Sequence, residues 1–563
     1  MGIAITTDVT ELESSLSTIL IDEHFKLYAG PGAGKTTFLT NHIKNILRGS
    51  KRLKKTRHVA CITYTNTAVN TLMNRLDGCT DSTEVSTIHS FCYKNIVKPY
   101  IWLLNDKSIA VDKIDGHEEI KLRRSQIRDF KSKSQQHFND DIALVTALGK
   151  LKWVLEDEVP ILKFLNFKDG KIGKYPIKKD SYLLFKQLHW SEGKLSHDDI
   201  LYFAYRIIKE KPEVLDILRA KFPYILIDEF QDTNPIQTEI IKMIGEKETI
   251  VGVIGDICQS IYSFQGANVN LFREFSLNCM KTYILSGNRR STKQIINVLN
   301  HIRKGVDFIQ YSPTDLEGPV PLVLIGGEAY SQSYLKKYYN GAMSLSYRNH
   351  KKADINIFLE DSDANRSWRI YYLIQSLELA KKPDIKNALK YMRQAYRKTD
   401  FFSEKDALQN LRRLVEVYDD FQNKNITYFH NQYLVGHYKV SGKITRGKVK
   451  ELYDEITYNQ LALQIDNLEN ELSKNFKTIH QSKGEEYETV CVDIPSKGDG
   501  KELEFLVNPN MDTESHRVYY VALSRAQNSL IIKLESISTE HSIVLEGLGF
   551  KIVNLINEPF KTV

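Results

Sequence analysis

The sequence predicts an α/β protein built on parallel sheets, and two stretches support that prediction. The first has the pattern of a short buried strand, a glycine-rich turn and a helix, in FKLYAGPGAGKTTFLTNHIKNIL (residues 25–47). The second has the pattern of a buried strand that runs into two adjacent carboxylates, in YILIDEF (residues 224–230). Because the carboxyl ends of parallel strands meet at one edge of a sheet, we expect the acidic strand to end beside the glycine-rich turn.

Length and composition indicate a multidomain globular protein. The 563 residues exceed what one hydrophobic core organises, so we expect about three or four domains. The composition, 42% hydrophobic and 26% charged, is that of an ordinary soluble protein. The net charge of +7 suits an anionic partner, but charge alone does not identify one.

The cysteines and the hydropathy argue against several classes of site. The six cysteines are scattered and form no C-x-x-C pair, which argues against a zinc or iron–sulfur site and against a disulfide framework. No apolar run approaches the length that spans a bilayer, and the N-terminus lacks the pattern of a secretory signal. We therefore predict a cytoplasmic protein with no membrane partner.

The glycine-rich turn fits a phosphate-binding loop, here called the phosphate loop (residues 29–36). Its glycines allow the backbone to curl so that N–H groups face phosphate oxygens. Lys35 would reach the β- and γ-phosphates, and the Thr36 hydroxyl would coordinate Mg²⁺. The predicted cofactors are ATP and Mg²⁺. The residues predicted to bind the nucleotide here are Ala29, Gly30, Pro31, Gly32, Ala33, Gly34, Lys35, Thr36 and Thr37.

The two carboxylates supply what a phosphate loop alone lacks. Asp228 can hold Mg²⁺ through water, and Glu229 can orient and deprotonate the attacking water. For the acidic strand alone, a solvated strand end would be a fair alternative. Together the two motifs predict an NTPase.

The stretch DEFQD also resembles the UvrD/Rep/PcrA-like superfamily 1A DNA helicases, and the resemblance recurs in order along the chain. The further matching segments are ITYTNTAVNTLMNRL (62–76), STIHSF (86–91), IGDICQSIYSFQGA (254–267), LSGNRRST (285–292), TIHQSKGEEYE (478–488) and HRVYYVALSRA (516–526). One such match is weak, whereas seven in the family's order leave little room for accident. The resemblance implies two RecA-like parallel-sheet motor domains, each with a mainly helical inserted subdomain.

The resemblance also implies roles for residues far from the phosphate loop. Gln259 would sense the γ-phosphate, and Arg290 and Arg525 match the family's two arginine fingers. Glu486 matches a position that binds the ribose, and Arg289 sits where many relatives stack a tyrosine on adenine. Because both fingers lie far along the chain, we expect another domain to supply them and hydrolysis to require two domains to close on ATP. The predicted catalytic residues are Lys35, Glu229, Gln259, Arg290 and Arg525.

A second set of positions is implied to contact single-stranded DNA. Tyr64, Tyr262 and Phe264 match family positions that touch bases, and stacking suits a motor because every base has a π-face. Core packing is the alternative for each aromatic side chain. The positions implied to bond phosphates, or to relay between DNA and ATP, are Thr65, Asn66, His89, Thr478 and His480.

Three departures from the family pattern bear on the nucleobase and on DNA. No glutamine occurs among the first thirty residues, where the family places an adenine-reading glutamine. Arg289 replaces the stacked tyrosine, although a guanidinium also stacks. Gln265 stands where the family usually has an arginine near the DNA. The departures put nucleobase selectivity in question and leave hydrolysis in place.

The motifs divide the chain into two interrupted motor domains, 1A and 2A, with insertions 1B and 2B. Two basic stretches of 1B, KLRRSQIR and KDGKIGKYPIKK, either face phosphates or are solvated faces. The insertion 2B is predicted to be reduced relative to the larger relatives. The predicted segments are 1–92 (1A), 93–200 (1B), 201–285 (1A), 286–350 (2A), 351–472 (2B) and 473–563 (2A).

Two hypotheses of function follow from the resemblance. The first is an ATP-dependent DNA helicase and single-stranded DNA translocase, moving 3′ to 5′ and acting on single strands and duplex junctions. The second is a DNA-stimulated ATPase subunit that senses DNA and regulates a partner nuclease in anti-phage defence. The compact build resembles the helicase partner of the Gabija anti-phage system, in size and architecture alone. An RNA-directed motor fits less well, because the motif set resembles DNA enzymes. The pathway stays open among repair, recombination and phage defence.

Overall fold

The computed structural model covers the chain with several gaps. The chain divides into two compact units, Met1–Tyr347 with Thr478–Val563, and Arg348–Lys477. The described residues are 9–76, 79–116, 124–306, 308–347, 363–382, 384–396, 402–438, 440, 442–462, 465, 475–495 and 501–555.

A seven-stranded sheet, here the first sheet, organises the N-terminal part of the larger unit within the described residues. Neighbouring strands pair in parallel. All of its inner strands except Lys281–Leu285 are buried at every position, as expected of parallel strands with both faces covered. In spatial order the strands are Val9–Glu11, Lys281–Leu285, Phe25–Ala29, Ile250–Gly255, Tyr224–Ile227, Val59–Thr63 and Thr83–Thr87.

Helices connect these strands and cover the sheet. Local sequence fixes several of their ends: Ser196 and Asn234 each form a capping box at a helix N-terminus. The α-helices are Lys35–Gly49, Asn66–Arg75, Ile88–Cys92, Lys98–Tyr100, His197–Glu210, Pro212–Lys221, Pro235–Gly245 and Val269–Glu274. Tyr93–Val97 is a π-helical turn, and the 3₁₀ turns include Ile101–Leu104, Phe230–Asp232, Ile257–Gln259 and Ser263–Gln265.

The segment before the helix His197–Glu210 combines helices with two β-hairpins. Its helices are Arg124–Ser134, Asp141–Leu148 and Asp180–Trp190. The hairpins pair Leu151–Glu156 with Val159–Phe164, and Lys171–Ile172 with Tyr175–Pro176. The prediction of a mainly helical insertion omits these hairpins, and its boundary at residue 200 falls inside His197–Glu210.

The missed hairpin at residues 151–164 has a physical explanation. Its two turn residues, Asp157 and Glu158, both have positive φ (47° and 61°). Such two-residue turns normally carry Asn-Gly or Asp-Gly, which tolerate positive φ at low cost. An Asp-Glu pair does not give that signal, so the turn was not recognisable from sequence.

A second, six-stranded sheet lies in the C-terminal part of the larger unit, within the described residues. Its central pairs are parallel. Apolar residues of both sheets, among them Val251, Val323 and Val490, belong to one continuous buried cluster. In spatial order the strands are Phe476–Thr478, Met343–Ser346, Tyr487–Asp493, Ala526–Leu534, Leu322–Ile325 and Lys551–Asn554. The helices around it are Lys293–Ile302, Glu328–Tyr338, Glu504–Val507, Glu514–Leu523 and Thr539–Gly547.

The smaller unit, Arg348–Lys477, is mainly helical where it is described and has its own core. Leu373, Leu411 and Phe421 are buried in that core. Residues 348–350 of the predicted 2A segment 286–350, and residues 351–362 of the predicted insertion 2B, lie outside the described residues. The helices are Ala364–Lys381, Ile385–Ala395, Glu404–Glu416, Tyr418–Phe421, Ile426–Phe429 and Lys448–Asp454.

The two parallel sheets with their helices confirm the predicted α/β class with two RecA-like motor domains. The predicted domain boundaries stay predictions. Among the described residues, no helix combines the length and the apolar character needed to cross a bilayer.

Candidate functional site

The phosphate loop joins the buried strand Phe25–Ala29 to the helix Lys35–Gly49. Gly32 (φ 70°) and Gly34 (φ 87°) adopt the left-handed backbone conformation that favours glycine. A Cβ on Gly34 would lie 2.8 Å from the Cβ of Ser15, so the loop has no room for a side chain there. The loop therefore has the curl and the helix N-terminus that bind phosphate.

Lys35 lies between the phosphate loop and the acidic strand end. Its Nζ is 3.4 Å from the carbonyl oxygen of Ala29 and 3.9 Å from Oε1 of Glu229. The side chain is 11% exposed, so the ammonium is held in a largely dry position. There it partly neutralises Glu229 and is available to an anionic group on the loop.

Asp228 and Glu229 directly follow the strand Tyr224–Ile227. Glu229 has φ 55°, a strained conformation for a non-glycine residue of the kind that clusters at functional sites. Burial, and then the charge of Glu229, raise the pKa of Asp228 above the usual carboxyl range. Burial also opposes ionisation of Glu229, but Lys35 and Lys483 outweigh it and hold the pKa of Glu229 low. The two ammonium groups therefore favour the ionised form of Glu229, which is the form that accepts a proton.

Asp228 and Thr36 fit the predicted Mg²⁺ site. A divalent cation beside Asp228 would relieve the cost of its buried charge. Within the described residues, no group of three or more His, Cys, Asp or Glu side chains forms a metal site of its own. Mg²⁺ commonly takes one or two protein oxygens and completes its shell with substrate phosphates and water. The residues thus suit a metal ion that binds together with the nucleotide.

Gln259 connects the first sheet to an arginine of the second sheet. It lies in the turn Ile257–Gln259, directly after the strand that ends at Gly255. Its Nε2 donates to Oδ2 of Asp256 (2.7 Å), and its Oε1 accepts from Nη2 of Arg525 (3.0 Å). The amide is therefore fixed between a carboxylate and a guanidinium.

Arg290 and Arg525 come together although they are far apart in the sequence. Arg525 is 2% exposed, and its Nη1 donates to the carbonyl oxygen of Glu485 (3.1 Å). Arg290 forms an ion pair with Glu486 (Nε–Oε2, 2.6 Å) and donates to the carbonyl oxygen of Ser524 (3.0 Å). Burial, and then the positive charge of Arg290, lower the pKa of Arg525. Two neighbouring guanidinium groups in this situation favour an anion beside them.

The two arginines reach the site from different elements. Arg525 lies between the helix Glu514–Leu523 and the strand Ala526–Leu534 of the second sheet. Arg290 lies shortly after Lys281–Leu285, the last strand of the first sheet along the chain. Only Arg525 is carried by the second sheet itself, whereas Arg290 lies on the segment that crosses between the sheets.

The residues that the family resemblance places at the adenine and the ribose of ATP lie near the phosphate loop. The backbone N–H of Arg289 donates to the carbonyl oxygen of Gly32 (3.0 Å), and its side chain is exposed. The Glu486 side chain is 50% exposed beside Arg290. The Thr37 hydroxyl accepts from Nη1 of Arg75 (3.5 Å). Their roles in nucleotide binding stay predictions.

A buried ion pair between Lys483 and Asp232 was missed by sequence reasoning. Nζ of Lys483 bonds to Oδ2 of Asp232 and to the carbonyl oxygen of Gln259 (2.8 Å), and lies 4.9 Å from the ring centroid of Tyr262. Burial raises the pKa of Asp232, and the ammonium of Lys483 opposes that rise. The signal was available: Asp232 is the third acid of the 224–234 stretch, and Lys483 lies within TIHQSKGEEYE.

Four of the predicted DNA-contact residues form one aromatic row: Tyr64, Tyr262, Phe264 and His480. The rings of Tyr64 and Tyr262 stack at 4.7 Å, and His480 lies 6.1 Å from Tyr262 and 5.7 Å from Phe264. Tyr262 is 9% exposed, whereas Phe264 is 59% exposed. The hydroxyl of Tyr64 donates to Oε1 of Gln265 (2.5 Å), the residue that departs from the family pattern. Tyr262 is therefore packed in the core, whereas the Phe264 ring is open to solvent.

The other predicted DNA-contact residues are placed by local structure. The Thr65 side chain caps the helix Asn66–Arg75, whose N-terminus is a suitable place for a phosphate. Thr478 is buried at the end of the strand Phe476–Thr478, two residues before His480. The His89 ring lies 5.2 Å from that of His197.

A small cavity adjoins Tyr64 of the aromatic row and the acidic strand end. Its volume is about 20 Å³, and its lining includes Tyr64, Asp228, Glu229 and Thr233. Most of its wall is apolar, with Ile62, Ile88 and Ile241 among the lining residues. Tyr64 of the aromatic row therefore lines the same cavity as the two carboxylates of the acidic strand end.

Known proteins match this chain along most of its length. Residues 11–279 match the UvrD/REP helicase N-terminal domain, and residues 325–536 match the UvrD-like helicase C-terminal domain. A probable DNA helicase II homolog of Mycoplasma capricolum is 27% identical over 83% of this chain and 64% of its own length. The ATP-dependent DNA helicase PcrA of Bacillus subtilis is 25% identical over 49% of this chain and 37% of its own length.

This chain thus spans less than two thirds of the length of the relatives that it matches. A solved structure described as PRRSV helicase overlaps 92% of this chain and 54% of its own, at 9% identity and a TM-score of 0.31, which is too low to compare details. The two domain matches agree with the two sheets and with the order of the motifs along them. The chain belongs to the UvrD-like helicase family.

Proposed function

We propose that this chain is an ATP-driven motor that moves 3′ to 5′ along single-stranded DNA and separates duplexes at junctions. One observation carries the proposal: residues 256–265 have one end in the nucleotide site and the other in the aromatic row. Gln259 bonds to Arg525, and Tyr262 and Phe264, a few residues further on, belong to the row. A movement of this segment would change contacts both in the nucleotide site and in the aromatic row.

The hydrolytic chemistry is assigned to groups that surround the phosphate loop. Lys35 would neutralise charge on the β- and γ-phosphates, and Glu229 would accept the proton of the attacking water. Arg290 and Arg525 would stabilise the charge that develops on the transferred phosphoryl group. The contact between Arg525 and Gln259 supports a site that is complete only when the second sheet is closed on the first. Thr36 and Asp228 would hold Mg²⁺, which supplies further neutralisation of the phosphates when it is bound.

Movement along DNA would follow from the same contacts. Lys483 bonds to Asp232 and to the Gln259 carbonyl oxygen, and its ammonium faces the Tyr262 ring. Closing and opening of the nucleotide site would therefore shift the aromatic row relative to Thr65 and the helix that it caps. Bases that stack on the row would be released and regained once per cycle.

The lysine-rich hairpin Lys171–Ile172 with Tyr175–Pro176 is an additional surface for phosphates. Lys171, Lys174 and Lys178 are exposed around the buried Ile172 and Ile177. Charge of this density suits a nucleic-acid backbone, and a solvated face remains the alternative.

A strand-displacement assay tests the proposal and separates it from a DNA-sensing ATPase that regulates a nuclease. The substrates are duplexes with a 3′ single-stranded tail, with a 5′ tail, or blunt. We expect ATP-dependent displacement of the 3′-tailed duplex only. Displacement confined to the 5′-tailed duplex would overturn the polarity. DNA-stimulated hydrolysis without any displacement, together with a co-purifying nuclease, would favour the regulatory role.

A further inference from the structure

Gln310 is buried against the phosphate loop, although it lies far from the loop in the sequence. Its side chain is 2% exposed, and Nε2 donates to the carbonyl oxygen of Pro31 (3.0 Å). Asn300 fixes the backbone of Gln310 from both sides: Nδ2 of Asn300 donates to the Gln310 carbonyl oxygen (2.8 Å), and the Gln310 N–H donates to Oδ1 of Asn300 (2.9 Å). The amide is thus presented to the loop by a rigid support.

The phosphate loop is shaped to receive this amide. A Cβ on Gly30 would lie 2.4 Å from Nε2 of Gln310 and 3.0 Å from Nη1 of Arg303. Glycine at position 30 therefore does more than allow the loop to curl, because it leaves space for Gln310. Among the described residues, Oε1 of Gln310 has no hydrogen-bond partner although it is buried. Burying an amide oxygen without a partner costs free energy, so such an amide is unusual unless its N–H donor has a functional role.

The bond to Pro31 acts on the peptide that joins Pro31 to Gly32. A peptide unit is planar and trans, so its C=O and N–H point in opposite directions. Holding the Pro31 carbonyl oxygen on the Gln310 side directs the N–H of Gly32 away from Gln310. The next carbonyl oxygen, that of Gly32, is held by the N–H of Arg289 (3.0 Å). Two consecutive peptides of the loop are thus oriented from the segment that carries Arg290.

We propose that Gln310 is a positioning residue for the phosphate loop, which orients the Pro31–Gly32 peptide for a nucleotide phosphate. The inference rests on the proposed function, because it requires the loop to bind ATP. Its consequence is that the segment between the sheets sets the affinity of the loop for phosphate. Gln310 touches the loop and not the reacting atoms, so its loss acts on binding.

The test compares Gln310→Met and Gln310→Glu with the parent chain. Met keeps the volume and removes the donor, whereas Glu also adds a negative charge beside the phosphates. We expect Gln310→Met to raise the Kd of a fluorescent ATP analogue with Mg²⁺ by about tenfold, and Gln310→Glu to raise it further. The KM for ATP should rise in parallel while kcat stays within about twofold, because the lost interaction is present in both ground and transition states.

Gln126→Leu is the matched control. Gln126 is a buried glutamine (4% exposed) that bonds to Glu192. Both residues belong to the predicted insertion 1B and not to the nucleotide site, so replacement of Gln126 should leave the Kd unchanged. If Gln310→Met and Gln310→Glu both bind the analogue as tightly as the parent, the positioning role is wrong. If Gln310→Met unfolds at too low a temperature to assay, Asn300→Ala takes its place. We expect Asn300→Ala to raise the Kd of the analogue as well, and an unchanged Kd would contradict the positioning role.

Failure of the proposed function gives a different result from failure of this inference. Lys35→Ala should lose binding and hydrolysis whatever Gln310 does. If Lys35→Ala matches the parent, the phosphate-loop assignment itself falls. If Lys35→Ala is inactive and the Gln310 variants match the parent, only the role of Gln310 falls.

Discussion

The nucleotide site and the aromatic row lie at the two ends of residues 256–265 and are built by opposite chemistry. At the nucleotide site, charged groups such as Arg525 (2% exposed) are buried and held by hydrogen bonds. At the row, ring faces dominate, and Phe264 is 59% exposed. Fixed charges in a dry site suit one reaction with one geometry, because no reorganisation is needed at the moment of reaction. Exposed rings suit a ligand of any base sequence.

Arg525→Ala should have the largest effect and should be confined to the nucleotide site. We expect the maximal ATPase rate to fall on the order of a thousandfold, with a far smaller change in ATP affinity. An interaction made mainly in the transition state lowers kcat without a matching change in binding. Lys at this position should rescue poorly, because an ammonium lacks the planar fork of a guanidinium. Steady-state kinetics and nucleotide titration measure both quantities.

The competing role for Arg525 is to hold the fold, since it bonds to Gln259 and to the Glu485 carbonyl oxygen. Thermal melting decides between the roles. A several-degree loss of stability, with residual turnover that scales only with the folded fraction, would contradict the catalytic assignment.

Glu229→Gln should separate ATP binding from hydrolysis. The amide is nearly isosteric but cannot accept the proton of water, so we expect turnover to fall by roughly a hundredfold or more. ATP should still bind, and the DNA complex should accumulate in its closed form. Rapid-quench and nucleotide-retention measurements check this, and fast turnover in the variant would show that Glu229 is not the base.

The extent to which sequence predicted the structure differs between local and distant contacts. The phosphate loop and the acidic strand end were predictable because each is set by a few consecutive residues with strong backbone preferences. The bonds of Lys483 to Asp232 and of Gln310 to Pro31 join residues more than two hundred positions apart. Neither stretch alone indicates which distant residue it contacts, so these two hydrogen bonds could not be predicted from the sequence.

The sequence also could not predict which aromatic side chains of a motif are exposed to solvent. Tyr262 and Phe264 lie two positions apart in one motif, yet one is buried and the other is open to solvent. Their chemistry is similar, and burial is set by neighbours such as Tyr64 and His480 from other segments. The alternative of core packing therefore had to stay open for both until the structure separated them.

Phe264→Ala should affect the aromatic row and leave the nucleotide site intact. We expect the Kd for an oligo-dT strand to rise by about tenfold, with no change in the ATPase rate without DNA. Because Phe264 is mostly exposed, its loss should cost little stability. Tyr338→Ala removes an aromatic side chain of similar exposure (55%) from a helix of the second sheet and is the matched control. Equal DNA affinity in Phe264→Ala and Tyr338→Ala would remove Phe264 from the DNA interface.

Lys483→Met should weaken the connection between the two regions more than either region alone. Lys483 touches Asp232, Gln259 and Tyr262, so its loss removes contacts at both ends of the segment. We expect the stimulation of ATPase by DNA to fall by roughly fivefold or more. The double variant Lys483→Met with Asp232→Leu removes the unpaired buried carboxylate and should recover thermal stability but not stimulation. Full DNA stimulation in Lys483→Met would show that the connection runs elsewhere.

The central claim is that hydrolysis between the two sheets is coupled to DNA on the aromatic row. The most direct measurement is the ATPase rate of the purified chain with and without saturating oligo-dT, with Lys35→Ala as the blank. We predict a rate that rises by at least about tenfold with DNA and that is absent in Lys35→Ala under both conditions. An ATPase rate that is the same with and without bound DNA, or hydrolysis that persists in Lys35→Ala, would contradict the account.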